Sequence, residues 1–355
     1  MMHLRRALLC SALFSACADV DVAAEYRAPR ADDGNGEEGE GEEGEGEEGE
    51  GEEGEGGEGE GEGVVDVDCA AGLVAVDGDC RAVGPAALTA RSEASVCAKW
   101  NSDYRWVTEW SDAGVVDQCS AGEVPQEALD NGLRRVNLYR WLVGVDAAAL
   151  EPSLFEQQQA CATLMAAYGQ LTHFPSAEMP CYSSSAAAGA GSSNIAGGGG
   201  IAGSVDMYVS DFGAGNAASL GHRRWTIGPF MSVTQFGVRN GYSCMYSFGL
   251  GGGRDPGFVA YPPPGFVPAS AAPGDFSFES ATLGIGADAV VEVAVDDAAF
   301  AVVEHRVLQG NYGHYGTAIA WAPPAGAFLP GTRVRVRITP ANSGPIEYTV
   351  MFAGC

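Results

Sequence analysis

The side chains best suited to chemistry in this 355-residue sequence are two histidines and the polar groups around them. His173 lies in Leu171-Thr172-His173-Phe174-Pro175, and His222 lies in Leu220-Gly221-His222-Arg223-Arg224-Trp225. Each stands beside a predicted helix end, so folding can bring the pair together. Two imidazole nitrogens and an oxygen from Asp211 would supply three ligands, the donor set of an open zinc site that keeps one position for water. The alternative is that both rings are hydrogen-bonded supports in a polar cleft. Arg223 and Arg224 either pair with Asp211 or Asp206 or meet an anionic ligand. His305 and His314 fall at predicted surface positions of the C-terminal part, and His3 falls near the N-terminus. The sequence contains no G-x-S-x-G, H-E-x-x-H or P-loop pattern. Gly198-x-Gly200-x-x-Gly203 matches a dinucleotide fingerprint in letters only, because no strand is predicted before it.

Two helices and a hairpin must position these groups. Pro125 suits a first helical position, and Leu129, Leu133, Val136, Tyr139 and Val143 follow at three-to-four spacing before Gly144. A second helix is predicted from about Ser153, with Leu154, Gln158, Cys161, Leu164, Met165 and Tyr168 on one stripe and Gly169 closing it. Residues 183–203, rich in Gly, Ser and Ala, read as a loop, and 204–212 as a short helix. Asn240-Gly241 between 233–238 and 242–248 is a strong hairpin signal. Tyr261-Pro-Pro-Pro-Gly265 reads as a linker. After it come alternating runs at 276–282, 289–295, 301–308, 317–322, 332–338 and 346–352. Short strands at that spacing describe a β-sandwich of immunoglobulin-like type. Arg333, Arg335 and Arg337 alternate there with Val334, Val336 and Ile338, a strand wet on one face.

The N-terminus and the cysteines point outside the cytoplasm. Residues 1–17 have two arginines and then a short apolar run, the layout of a signal peptide. Leu13-Phe14-Ser15-Ala16-Cys17 is lipobox-like, so Cys17 is the expected lipidation site and membrane anchor; ordinary cleavage after Ala18 is the other possibility. Residues 18–63 form a Glu/Gly low-complexity linker in which EEGEG repeats four times from Glu37, too charged to bury a core. Residues 64–121 are expected to be a small disulfide-containing segment. With Cys10 and Cys17 set aside, eight cysteines remain, and sequence proximity suggests Cys69–Cys80, Cys97–Cys119 and Cys161–Cys181, leaving Cys244–Cys355 by elimination. The net charge is −28, and a folded part that remains acidic repels phosphate backbones, which excludes nucleic acid as the expected partner. No run of 18 apolar residues is present to cross a membrane as a helix.

The order Val136-Asn137-Leu138-Tyr139-Arg140-Trp141, His173, Ser193-Asn194-Ile195 and Gly221-His222-Arg223-Arg224-Trp225 resembles the CAP superfamily of cysteine-rich secretory, antigen 5 and pathogenesis-related proteins, in its bacterial SCP-like form. The resemblance covers about 125–248 and implies an α-β-α sandwich over 122–250. The tail at 261–355 resembles the β domain that follows some bacterial members, so the expected class is α+β. In the family, two histidines and two acidic residues line a cleft that binds a divalent cation in some members. His173 and His222 match the histidines, and Asp211 stands for the second acid. Ser193 occupies the place of the first acid, and Arg223 and Arg224 replace aromatic residues. The resemblance therefore implies cleft candidates His173, Asp211, His222 and Ser193, with zinc or another divalent cation held weakly by His173, His222 and Asp211. The expected function is a secreted or lipid-anchored module that binds an extracellular or envelope ligand. A metal-dependent hydrolase of peptide or envelope material and a lipid or sterol carrier are the alternatives.

Overall fold

The computed structural model describes residues 73–76, 79–82 and 88–355. The signal, the lipidation site Cys17, the Glu/Gly linker and the Cys69–Cys80 pairing lie outside the described residues. Two short strands, β1 (Leu73–Val76) and β2 (Asp79–Ala82), pair antiparallel. Next come α1 (Glu93–Asp103), α2 (Gln126–Val143), β3 (Ala149–Leu150), α3 (Phe155–Tyr168), α4 (Ser184–Gly191), β4 (Ser193–Gly197), α5 (Gly200–Ser210) and α6 (Gly221–Ile227). Strands β5 (Met231–Thr234), β6 (Phe236–Arg239), β7 (Tyr242–Tyr246) and β8 (Gly249–Leu250) complete this part. The C-terminal part holds β9 (Val259–Tyr261), β10 (Gly265–Pro268), β11 (Phe276–Ser280), β12 (Val290–Val295), β13 (Ala301–Val302), β14 (His305–Val307), β15 (Thr317–Trp321), β16 (Arg333–Thr339) and β17 (Ile346–Ala353). The class is mixed α and β.

Leu129, Val136, Tyr139 and Val143 of the α2 stripe are buried and Leu133 is half-buried, and Gly144 ends the helix at φ +78 while its N–H returns to the Arg140 and Trp141 carbonyls. Strands β4, β7 and β6 form an antiparallel sheet in that order, joined through the Asn240-Gly241 turn, whose two positive φ values suit Asn and Gly. Alternation along the strands separates its faces. Ile195 and Cys244 pack with Cys161 and Leu164 of α3, whereas Ala196 and Met245 join Ile201 and Val205 of α5 and Val136 of α2. The outer edge of β6 is closed by a side chain: the Gln159 amide accepts from Val238 N and donates to Val238 O, each at 2.9 Å.

The segment 183–203 is not a loop. It forms α4, β4 and the start of α5. Ser183 caps α4 by accepting from Ala186 N at 3.0 Å, and its alanines favour a helix. Small residues are needed because α4 lies hard on α3: a Cβ on Gly189 would stand 2.6 Å from the Gln157 carbonyl oxygen. A strand therefore does precede the Gly198–Gly203 pattern, contrary to expectation. Its helix N-terminus is taken by the Glu109 carboxylate, which accepts from Ile201 N and, at 2.7 Å, from Ala202 N.

In the C-terminal part the sheets run β10-β17-β16-β12-β13 and β14-β15-β11-β9. Phe276, Phe278 and Trp321 of one sheet pack with Val334, Val336 and Phe352 of the other, and the six expected runs all form strands. The arginines of β16 lie on the opposite face, with Arg337 bonded to Glu347 and Glu292. Residues 261–265 are not a linker: all five are buried, and Tyr261 joins the same apolar cluster as Val136 and Tyr139 of α2. One core thus continues through both parts.

Three of the expected disulfides, Cys97–Cys119, Cys161–Cys181 and Cys244–Cys355, are overturned. Among the described residues the bonds are Cys97–Cys355, Cys119–Cys181 and Cys161–Cys244. Cys161 points from α3 into the sheet, where β7 delivers Cys244, and so it is unavailable to Cys181 on the surface loop. The Cys97–Cys355 bond ties α1 to the chain end after β17 across 258 positions. Among the described residues, no helix is long and apolar enough to cross a membrane.

Candidate functional site

His173 sits in the connection between α3 and α4, and His222 is the second residue of α6. The fold brings their rings together, with centroids 6.5 Å apart and planes inclined by 25°. His173 Nδ1 lies 2.9 Å from the Ala190 carbonyl oxygen. A carbonyl can only accept, so this nitrogen carries the proton and the neutral ring leaves Nε2 with its lone pair. The same logic applies to His222, whose Nδ1 lies 2.8 Å from Asp211 Oδ1. Both imidazoles are therefore fixed through Nδ1.

Surroundings push the two rings apart electrostatically. Burial lowers the His173 pKa below its ordinary 6.5, and the neighbouring His222 adds to the effect. Burial also opposes charge on His222, but the Asp211 carboxylate outweighs it and raises that ring above 6.5. The arrangement makes His222 the stronger holder of a proton and His173 the weaker one. Such a pair can hold a polar ligand by giving one hydrogen bond and taking another, or exchange a proton with it.

Asp211 does not stand as the expected third ligand. Its side chain is fully buried behind His222, and its second oxygen accepts from Arg223 N at 3.2 Å. It orients His222. Ser193 is likewise spent, since its hydroxyl donates to Gln158 Oε1 on α3. The strand alternates, so Asn194 points the other way, and its Nδ2 donates to His222 O at 3.0 Å and Thr226 Oγ1 at 3.1 Å. Among the described residues, no three His, Cys, Asp or Glu side chains are grouped to hold a metal ion.

Both arginines are engaged by acceptors within the protein. The Arg223 guanidinium bonds to the carbonyls of Val209, Ser210 and Asp275 and to Ser277 Oγ. Arg224 pairs with Glu279 at 3.0 Å. Asp206 takes Arg135 instead, together with the hydroxyls of Tyr104 and Tyr139. His305 bonds to Gly286 O at 3.2 Å, and His314 packs 5.4 Å from Trp225.

Sequence reasoning missed Tyr208, whose ring stacks on His222 with centroids 5.8 Å apart. Its spacing was a usable signal, because Tyr208 precedes Asp211 by three positions, nearly one helical turn. The carbonyl of Ala190 carries no such signal, since any residue there supplies one. No protein-family model, curated protein or solved structure matches the chain.

Proposed function

We propose that this chain is an exported, CAP-like binding module whose ligand is received between His173 and His222. The observation that carries the reading is the convergence of motif segments spread along the sequence: His173, Asn194 and His222 meet through one ring pair and one hydrogen bond. A sheet with helices on both faces, followed by a part with two sheets, supports the sandwich and β domain that the resemblance implies. Three disulfides suit an oxidising, extracytoplasmic setting, which supports export and, with Cys17, a lipid anchor.

A binding role is favoured over hydrolysis because the donor set does not fit a three-ligand zinc centre. Asp211 and Ser193 have committed their oxygens elsewhere. The second reading is a divalent cation held by the two Nε2 atoms alone, where it would supply Lewis acidity. Retention of purified envelope fractions on immobilised full-length protein tests the main reading. Material held by the wild type and released by the His173→Ala/His222→Ala double variant supports it. Equal retention by both proteins removes the cleft from the account. Elemental analysis in parallel, giving one bound metal per chain, would favour the second reading.

A further inference from the structure

Arg223 follows His222 and is fully buried at the junction between the helical and C-terminal parts. Its Nε donates to Val209 O at 2.6 Å and one terminal nitrogen donates to Ser210 O at 2.9 Å. These carbonyls end α5, where a helix leaves its acceptors open. The other terminal nitrogen reaches Asp275 O at 2.8 Å and Ser277 Oγ on β11 at 3.0 Å. The backbone N–H of the same residue donates to Asp211 Oδ2. One residue thus grips the end of α5, the carboxylate that orients His222, and a strand of the C-terminal part.

The segment it spans needs such a grip. Asp211 has φ +47 and Leu220 has φ +46, left-handed conformations that non-glycine residues hold only where their surroundings impose them. A lysine could not reproduce the contacts, since its single ammonium lacks the planar fork that serves four acceptors in fixed directions.

We infer that Arg223, anchored on Ser277 of β11, is a positioning residue for the Asp211–His222 pair, so that the C-terminal part sets the orientation of the cleft histidine. The inference rests on reading His222 as a working cleft residue, but its test requires no ligand and stands if the proposed binding function fails. The ionisable groups about the pair are His173 from the connection after α3, Tyr208 from α5, and Arg223. Asp275, Arg306 and Tyr261 face the guanidinium from the C-terminal part. Ser277→Ala removes none of these charges.

The experiment is a histidine-ring NMR titration of the full chain in wild type, Ser277→Ala, Ser277→Thr, Arg223→Lys and, as a control, Arg254→Ala at an exposed ion pair. Loosening Asp211 should weaken the proton affinity of His222 about threefold or more in Arg223→Lys, and in the same direction in Ser277→Ala, with recovery in Ser277→Thr. Arg254→Ala should leave it unchanged. If Arg223→Lys does not fold, the two Ser277 variants decide. A purely structural arginine would lower the melting temperature without moving the His222 titration, and that result overturns the proposal.

Discussion

Asp211 divides its carboxylate between two neighbours on α6, holding His222 Nδ1 with one oxygen at 2.8 Å and accepting the Arg223 N–H with the other at 3.2 Å. A carboxylate used this way raises the affinity of the ring for its proton and fixes which nitrogen carries it. Both of its oxygens are thereby engaged within the protein, one by the His222 ring and one by the Arg223 backbone.

This arrangement has a consequence for stability. His222 is raised above 6.5, so the native state binds its proton more tightly than the unfolded chain does. That contribution is fully present below 6.5 and is lost as pH rises through the folded value. Glu279, pushed up to about 6 by burial and held back by Arg224, has finished most of its titration by pH 7. The melting temperature should therefore fall as pH rises from 6.5 through the folded His222 value in the wild type. In Asp211→Asn burial alone acts on His222, and the decline over that interval should vanish. A persistent decline in the variant would assign it to another group.

Restoring a carboxylate at Ser193 should not build a metal site. Ser193 is buried and its hydroxyl faces Gln158 on α3. Ser193→Glu forces a charge into that contact and should destabilise the fold by about 3 kcal/mol or more. Chemical denaturation measures the loss, and zinc calorimetry should show no gain in affinity over wild type. Tighter zinc binding with unchanged stability would mean that Ser193 faces the cleft.

The loop bearing His173 is held by Cys119–Cys181, which closes a span of 62 positions. Loop-closure entropy for a span of that size is about 4 kcal/mol, with measured values often smaller. The double variant Cys119→Ser/Cys181→Ser should lose about 2–4 kcal/mol in urea unfolding. Non-reducing peptide mapping should recover the Cys119–Cys181 peptide from wild type. Finding Cys161 joined to Cys181 would contradict the fold around α3.

The ion pair between Arg224 and Glu279 joins α6 to β11 with side chains only 2% and 6% exposed. Glu279→Ala leaves a buried guanidinium without its counter-charge and should cost about 3–5 kcal/mol. Asp146→Ala breaks a pair whose side chains are 49% and 34% exposed, and should cost under about 1 kcal/mol. Thermal denaturation of the two variants gives the comparison, and equal losses would contradict burial of the first pair.

The sequence exposed the parts of this fold that depend on local pattern. The stripe from Leu129 to Val143, the Asn240-Gly241 turn and the alternation of Arg333 to Ile338 all form as read, because helix, hairpin and strand have fixed periods. His173 and His222 were legible as candidates because each stands beside a helix end. What failed depends on tertiary placement. Cysteine pairing follows which faces meet, so Cys161 joins Cys244 rather than its nearer neighbour. The Ala/Gly/Ser stretch suggests a loop because small residues permit a turn, yet here they permit α4 to touch α3 at Gly189. Arg140, Arg223 and Arg224 look like surface residues in a sequence. Each is buried because backbone carbonyls, joined for Arg223 by Ser277 and for Arg224 by Glu279, supply its acceptors.

The most direct test of a shared two-histidine site is a long-range proton–nitrogen NMR spectrum of the imidazoles across the pH range, in wild type and His222→Gln. The structure calls for both neutral rings to carry the proton on Nδ1, with His222 titrating above 6.5 and His173 below it. Removing the neighbouring charge in His222→Gln should raise the His173 value. Rings protonated on Nε2, or a His173 titration indifferent to His222, would contradict the site.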